Sequence, residues 1–171
     1  WNGKRNLYFS VNEPKPGSPD DKLKETDIAA IRAVYADVDP KPGDLDAARQ
    51  DIRNRAKLAL SAAKPSLVID SGGGLQFFWQ CEKTPVDEAV KRAAKRQGRG
   101  IAHLMDGDGV CNIDRIMRLP GTVNLPDKAK LAKGRRIATA TVLDQRGERY
   151  RLDDLAKFYK PLDAEEGEDK D

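Results

Sequence analysis

The sequence predicts a single α+β domain in which helices pack on a mixed or antiparallel sheet. Segments typical of strands alternate with segments typical of helices, and a sheet covered by helices is the architecture that buries the apolar face of both. Hydrophobic residues make up 39% of the 171 residues, which is enough for one sizeable core. The chain shows no internal repeats, so repeat architectures are excluded.

The first half of the chain contains a strongly indicated helix and a strongly indicated hairpin. From Asp44 to about Ala63, apolar residues recur every three or four positions, which predicts a helix that Pro65 ends. Residues 66–70 and 75–80 are apolar segments on either side of a glycine turn, and they predict a hairpin. The other predictions are a strand at 5–11, a loop at 12–22, a short helix capped by Thr26 that includes Ile28, Ala29 and Ile31, a strand at 33–39 and a turn at 41–43.

The second half begins with a helix-start pattern. Thr84 is a capping residue, Pro85 suits the first helical position and Asp87 follows three residues after the cap. They predict a basic helix at 87–97, which Gly98 and Gly100 interrupt. The other predictions are a turn at 106–109, a strand at 115–119, a turn at 120–122, a hairpin of strands 136–143 and 147–152, and a last helix with Leu152, Leu155, Phe158 and Tyr159 on one face.

The charge of the chain is unevenly distributed. The formal net charge is +3, but residues 163–171 contain six acids and one lysine, and the other 162 residues carry 30 basic and 22 acidic side chains. A basic body with an acidic tail is typical of a polyanion-binding domain followed by a solvated linker. We therefore expect a domain at 1–160 and an acidic, disordered linker at 161–171. Because the sequence begins at Trp1, we interpret it as a piece of a longer polypeptide.

The cysteine and histidine content excludes several kinds of site. Cys81, Cys111 and His103 are the full complement, so neither a disulfide framework nor a Cys/His zinc site can be completed within this chain. Unpaired thiols favour a reducing, cytoplasmic location. No apolar run approaches the length of a membrane span, so no membrane partner is expected.

Two carboxylates end the strand at 33–40. Because alternate residues of a strand share a face, Asp37 and Asp39 should stand side by side while Val34, Ala36 and Val38 face a core. Neighbouring carboxylates repel each other unless a cation lies between them, and oxygen ligands favour Mg²⁺ or Mn²⁺. The alternative is a strand that ends in an ordinary polar turn.

A second candidate is the glycine turn and the strand that follows it. Glycines at 72, 73 and 74 let backbone N–H groups approach an anion, although three glycines also suit a plain hairpin tip. Gln76 shares a strand face with Phe78 and lies opposite Phe77, so one face of this strand should pack in the core and the other should face a site.

The third candidate is the segment 106–124. Acids at 106, 108 and 114 and arginines at 115 and 118 surround a short apolar strand. Carboxylates that hold a metal beside guanidinium groups form a suitable site for a triphosphate. The alternative for residues 106–109 is a plain turn, since a calcium loop would need a glutamate that the sequence lacks.

Taken together, the three segments resemble the archaeo-eukaryotic primase (primase–polymerase) superfamily, in the form found in phage and plasmid replication proteins. VYADVD, which ends at Asp39, is similar to the family's first motif, a hydrophobic strand ending in Asp-x-Asp. SGGGLQFFW at 71–79 is similar to the second motif, and the RLPGTVN stretch at 118–124 is the most specific match. The resemblance spans roughly residues 5–137.

The resemblance implies an RRM-like palm on which two metal ions support nucleotidyl transfer on a single-stranded DNA template. The metal ligands and catalytic residues would be Asp37, Asp39 and Asp108, with Asp114 as the alternative third acid. The triphosphate would contact Ser71, Gly72, Gly73, Gly74, Gln76, Arg115 and Arg118. The template would contact Lys91, Arg92, Lys95 and Arg96 on the basic helix, and Lys128, Lys130, Lys133, Arg135 and Arg136.

The sequence departs from the family at one position and leaves the function open. Gln76 stands where most of the family has a histidine, and glutamine can donate a hydrogen bond to phosphate but carries no charge. The leading hypothesis is a DNA primase core that uses nucleoside triphosphates and is joined to a helicase or a helical primase domain. The alternatives are a non-catalytic single-strand or origin DNA-binding module of the same fold, or an unrelated nuclease or nucleotidyltransferase.

Overall fold

A computed structural model describes residues 1–19, 21–41, 45–59 and 63–164. The main sheet has five antiparallel strands in the order β2-β3-β5-β4-β9. These strands are β2 (Glu13–Pro14), β3 (Ile28–Val38), β4 (Leu67–Asp70), β5 (Leu75–Pro85) and β9 (Thr141–Gln145). Two small antiparallel sheets pair β1 (Tyr8–Ser10) with β6 (Ile116–Arg118), and β7 (Val123–Asn124) with β8 (Ala138–Thr139).

Four α-helices complete the described part of the fold. They are α1 (Leu45–Ala59), α2 (Glu88–Met105), α3 (Lys128–Ala132) and α4 (Leu152–Leu155). The α+β class is confirmed, and the pairing of the named strands is antiparallel throughout. The succession β3-α1-β4-β5-α2, with β5 between β3 and β4, is the arrangement of an RRM-like or ferredoxin-like half. Within the described ranges, no helix is long and apolar enough to cross a lipid bilayer.

The two faces of the sheet have different roles. On one face, Val34, Ala36 and Val38 pack with α1 and α2 in the larger core cluster, as predicted. On the other face, Tyr35 and Phe78 belong to a smaller cluster under β1 and β6. Because side chains alternate, Asp37 and Gln76 also lie on this second face, beyond the end of the smaller cluster.

Asn12 fixes the point where β3 changes its register. The pairing of β3 with β5 shifts between Ile31 and Ala33. The buried Asn12 side chain accepts hydrogen bonds there from the amides of Arg32 (2.7 Å) and Ala33 (3.1 Å). Its own amide donates to Ile113 O at 2.9 Å, so one side chain ties the irregular part of β3 to the segment that precedes β6. These hydrogen bonds help to hold the middle of β3 against the segment that precedes β6.

Several predicted elements are wrong in extent or type. The short helix at 26–31 is a 3-10 turn at Glu25–Asp27, and residues 28–31 already belong to β3, where sheet pairing prevails over local helix signals. The N-cap of α2 is Asp87, whose carboxylate accepts from Val90 N at 2.7 Å, while Pro85 ends β5. The helix predicted at 44–63 is confirmed over 45–59, and residues 42–44 and 60–62 lie outside the described residues.

Glycine does not interrupt α2, which continues to Met105. A Cβ added at Gly98 would lie 3.0 Å from Cys111 Cβ, and one at Gly100 would lie 2.1 Å from Lys160 O. These glycines therefore serve close approach of neighbouring segments rather than helix termination.

The predicted C-terminal hairpin is also wrong. The segment at 136–143 contributes to β8 and β9, and β9 pairs with β4. Residues 147–152 form no strand, and Tyr150 makes one isolated bridge with Cys81. The last helix is confirmed in place, with Leu152, Leu155 and Tyr159 buried, but Phe158 is 45% exposed.

Candidate nucleotide and metal site

A polar cleft of about 620 Å³ opens on the second face of the sheet, where β3 and β5 meet the glycine turn and the segment before β6. Its walls come from six separate parts of the chain, so the fold brings together residues that are far apart in sequence. The charged lining residues are Lys22, Asp37, Asp39, Asp108, Asp114, Arg115, Arg118, Lys130, Lys133 and Arg135. All four acids that the sequence singled out as possible metal ligands line this one cleft.

Backbone contacts position the acids. Asp37 is the penultimate residue of β3, and Asp39 follows the strand with its side chain 75% exposed. Asp108 N donates to Asp37 O at 2.8 Å, which places the turn at 106–109 beside the end of β3. The buried Tyr35 hydroxyl donates to Asn112 O at 2.9 Å and anchors the next part of the same segment.

The guanidinium of Arg115 lies between two of the carboxylates. Its Nη2 is 3.3 Å from Asp37 Oδ2 and 3.3 Å from Asp108 Oδ2. Asp39 pairs instead with Arg135, whose Nη2 is 3.2 Å from Asp39 Oδ1. Asp114 is half-buried, lines the cleft and forms no ion pair within the described ranges. Asp108, rather than Asp114, thus shares a guanidinium group with Asp37.

Asp37 is in an electrostatically unfavourable position. Burial raises the pKa of its carboxyl, and the negative charges of Asp39 and Asp108 raise it further, while the Arg115 guanidinium lowers it. The net direction is upward, so the folded chain disfavours the ionised carboxylate. A carboxyl whose pKa is raised by burial and by neighbouring acids is typical of a functional site.

The oxygen donors of the cleft suit a hard divalent cation, but an arginine side chain lies between two of the carboxylates. Carboxylate oxygens are the ligands that Mg²⁺ and Mn²⁺ prefer. Among the residues that the structure describes, no group of three or more His, Cys, Asp or Glu side chains is close enough to hold a metal ion. Because Arg115 contacts both Asp37 and Asp108, a cation bound by this pair would have to displace the guanidinium.

The glycine turn is held by its own hydrogen bonds. The Ser71 hydroxyl accepts from Gly73 N (3.2 Å) and Gly74 N (2.9 Å), and Asp70 Oδ1 accepts from Gly72 N at 2.8 Å. Arg49 and Arg53 of α1 form ion pairs with the same Asp70 carboxylate. The three amides are therefore engaged within the turn, and an anion would have to compete with Ser71 and Asp70 for them.

Close approach explains the glycine at position 74. A Cβ there would lie 2.5 Å from Val38 O and 2.7 Å from Asp39 Oδ1. The glycine therefore lets the turn pack directly under the second acid. At Gly72, φ is +80° and a Cβ would lie 2.9 Å from Ala138 Cβ, so this position too excludes larger residues.

The RLPGTVN stretch forms a closed loop that holds a buried guanidinium. Gly121 has φ +80° and Thr122 Oγ1 donates to Leu119 O at 2.6 Å, which forms the turn. Arg118 is 6% exposed and donates to Asn6 (2.8 Å), Tyr8 (3.1 Å) and Asn124 (3.0 Å). It has no carboxylate partner in the described part of the chain, so its positive charge is not neutralised there.

The RLPGTVN stretch contacts the glycine turn, and its arginine contacts an aromatic ring. Asn124 Nδ2 donates to Ser71 O at 2.9 Å and so links the end of the RLPGTVN stretch to the second motif. The Arg118 guanidinium lies 4.4 Å from the centre of the Tyr8 ring, whose side chain is 47% exposed and lines the cleft. The sequence pattern had not singled out Tyr8 or Asn6, because neither belongs to a short motif.

Two buried polar atoms in the cleft wall have no hydrogen-bond partner among the described residues. They are Arg135 Nη1, which lies 3.2 Å from the position of a Cβ at Gly73, and Gln76 Oε1. One is a donor and the other an acceptor. A ligand with both anionic and cationic parts could satisfy both.

The predicted template-binding residues fall in two places. Lys130, Lys133 and Arg135 line the cleft. Helix α2 packs on the opposite face of the sheet. Of its four predicted template-binding residues, three pair with acids: Lys91 with Glu88, Lys95 with Glu25 and Arg96 with Asp163. Lys128, Arg92 and Arg136 are exposed and lie outside the cleft lining. The structure thus gathers the 130–135 stretch with the acids, and it does not gather α2 with them.

Comparison with solved structures identifies the fold. The AEP domain of the primase–polymerase (PrimPol) of cyanophage S-2L superposes with a TM-score of 0.59 at 20% identity, over 90% of this chain and 69% of that one. The chain has an AEP-domain fold. The fold that the resemblance to archaeo-eukaryotic primases implied is thereby confirmed. No family model and no curated protein sequence matches the chain.

Proposed function

We propose that this AEP-fold chain is a nucleotidyltransferase core that extends or initiates strands on a single-stranded DNA template, as a primase–polymerase of a phage or plasmid replication protein does. One observation carries the proposal. Three carboxylates and a buried guanidinium without a carboxylate partner converge in a single cleft, on the fold of a primase–polymerase domain. Carboxylates suit divalent cations and guanidinium groups suit phosphates, and nucleotidyl transfer needs both.

In this proposal Asp37, Asp39 and Asp108 hold divalent cations, with Mg²⁺ or Mn²⁺ as the natural choice. The cations supply Lewis-acid activation of the attacking 3′-hydroxyl and charge stabilisation of the leaving pyrophosphate. Asp114 lines the same cleft, but Asp108 is favoured as the third ligand because it and Asp37 contact the same Arg115 nitrogen.

The remaining cleft residues bind the triphosphate and the template. Arg118 is fixed by three neutral oxygen partners, so its charge is preorganised and pays little ordering entropy on binding phosphate. Arg115 and Arg135 now pair with acids and would be released toward phosphate oxygens when cations take those acids. Lys130 and Lys133 extend the basic wall and suit the backbone of the template strand.

Primer synthesis and primer extension on single-stranded DNA with Mn²⁺ or Mg²⁺ test the proposal. We expect Asp37→Ala and Asp39→Ala each to lower the rate at least about 100-fold, since metal ions contribute several kcal/mol to the transition state. Asp153→Ala, which removes an exposed carboxylate of α4 outside the cleft, is the matched control and should keep full activity. Full activity in the Asp37→Ala, Asp39→Ala double variant would end the proposal.

A second candidate is a non-catalytic single-strand or origin DNA-binding module of the same fold. The observation in its favour is Arg115, which bridges Asp37 and Asp108 as a permanent substitute for a metal would. It predicts salt-sensitive DNA binding with no nucleotide incorporation at any concentration of divalent metal. Calorimetry separates the two: metal-dependent binding of a nucleoside triphosphate with micromolar affinity supports the enzyme, and its absence supports the module.

A further inference from the structure

Gln76 is a buried amide whose oxygen has no partner. The side chain is 5% exposed and lines the cleft. Its Nε2 donates to Met117 Sδ at 3.2 Å, while Oε1 contacts no donor among the described residues. An unpaired buried carbonyl destabilises the fold, so its persistence in a cleft points to a ligand that pairs with it.

The contact with Met117 fixes which way the amide points. A thioether sulfur is a weak acceptor with no hydrogen to donate, so the amide NH₂ is favoured beside it and the oxygen is not. The oxygen is therefore the atom left without a partner in the wall of the cleft. Phosphate also offers only acceptors at neutral pH, so this orientation does not suit the role of phosphate donor that the family's histidine position implied.

The cross-strand partner of Gln76 is Asp37. The two residues are directly opposite each other in the β3–β5 pairing and lie on the same face of the sheet. Such cross-strand neighbours have Cβ atoms about 4.5–5.5 Å apart, which allows both side chains to reach one cation. An amide oxygen is a hard, neutral ligand, so it would complete a cation site without adding charge to acids that already repel one another.

We infer that Gln76 Oε1 is an oxygen ligand of the divalent cation that Asp37 binds. This inference rests on the proposed function, because it assigns one more ligand to the same site. It also explains how glutamine can stand at position 76: the position serves the metal rather than the phosphates. The cation site then has both carboxylate and amide oxygens, at the end of β3 and the start of β5.

The test is calorimetric titration of the chain with Mn²⁺ alone, without nucleotide or DNA. We expect Gln76→Leu to weaken Mn²⁺ binding about 5- to 50-fold, in the range that metal-site partners contribute. Gln76→Glu should bind Mn²⁺ at least as tightly as the unmodified chain, because it retains an oxygen and adds a charge. Gln80→Leu, on the same strand but outside this cleft, is the matched control and should leave the affinity unchanged.

Each outcome separates this inference from the proposed function. If the unmodified chain binds Mn²⁺ and Asp37→Ala abolishes that binding, yet Gln76→Leu binds normally, the inference is overturned and the proposed function stands. If the unmodified chain binds no Mn²⁺ with or without nucleotide, the proposed metal site itself fails. If Gln76→Leu weakens only metal-free binding of a nucleoside triphosphate, measured with EDTA present, the oxygen serves the nucleotide and the inference is wrong. Thermal melts show whether the leucine variant is folded, and Gln76→Glu supplies a second measurement if it is not.

Discussion

Replacement of Arg115 by glutamine should change the affinity of the cleft for its two proposed ligands in opposite directions: tighter for a divalent cation and weaker for a nucleoside triphosphate. The guanidinium contacts Asp37 and Asp108 at 3.3 Å each, which is long for charge-assisted hydrogen bonds, and all three side chains are partly exposed. Each contact is therefore worth about 0.5–1 kcal/mol, and the pair about 1–2 kcal/mol. A cation must displace this pair before it can bind both acids.

Removal of the guanidinium removes that cost. At about 1.4 kcal/mol per tenfold change, Arg115→Gln should tighten Mn²⁺ binding about 5- to 30-fold in the absence of nucleotide. The same change should weaken binding of a nucleoside triphosphate, because one phosphate-binding cation is lost. Calorimetry with each ligand separately, at low ionic strength, measures both effects.

The control for this experiment removes a guanidinium from an ion pair elsewhere. Arg96 pairs with Asp163 on the helical side of the sheet, so Arg96→Gln lowers the net charge equally and should leave the Mn²⁺ affinity unchanged. The reasoning is refuted if Arg115→Gln binds Mn²⁺ no more tightly than the unmodified chain. An equal gain in the Arg96 variant would also refute it, since the effect would then be one of net charge.

Three further predictions concern the same region. Gly74→Ala should lower the free energy of unfolding by about 1–3 kcal/mol in urea denaturation, because its Cβ would meet Val38 O at 2.5 Å, whereas Gly147→Ala, with nothing within 4 Å, should not. Burial raises the pKa of Asp37, so the folded chain loses stability as the pH rises through that pKa and the carboxyl ionises. Asp37→Asn should therefore be more stable than the unmodified chain at neutral pH. A difference in the free energy of unfolding that does not shrink in acid would contradict this. Lys133→Ala should weaken single-stranded DNA binding and reduce the salt slope by about 0.7, as one lost phosphate contact does, and an unchanged slope would exclude Lys133 from the DNA path.

The sequence was most informative where side-chain alternation and turn chemistry decide the structure. The opposite faces of Asp37 and Val38, the hairpin around the glycine turn and the α+β class all follow from local rules and are confirmed. The helix at residues 28–31 and the hairpin that included 147–152 were wrong, because both depended on which strand pairs with which. Local propensity cannot determine pairing between segments that are distant in sequence.

The sequence could not show which hydrogen bonds hold the side chains and amides of the cleft, because several of them join residues that are distant in sequence. The short motifs identified Arg118, but the neutral partners that fix it come from Asn6 and Tyr8, more than a hundred residues away. From the sequence, the glycine turn could be an anion-binding loop or a plain hairpin tip, and only the structure shows that Ser71 and Asp70 engage its amides. Glycine permits both close approach and free amides, so the residue type alone does not distinguish them.

The charge balance of the cleft indicates how its two ligands depend on each other. Asp37 and Asp108 are neutralised by Arg115, and Asp39 by Arg135, so a cation that arrives alone must break existing pairs. A triphosphate that arrives alone must approach the same carboxylates, and of the three arginines that line the cleft only Arg118 has no acid partner among the described residues. Under the proposed function, a cation that bound the acids would release the other two guanidinium groups toward the phosphates, so each ligand would lower the cost of binding the other. Coupling of this kind is reciprocal, which means that an AEP-fold site built in this way favours the metal–nucleotide complex over either component.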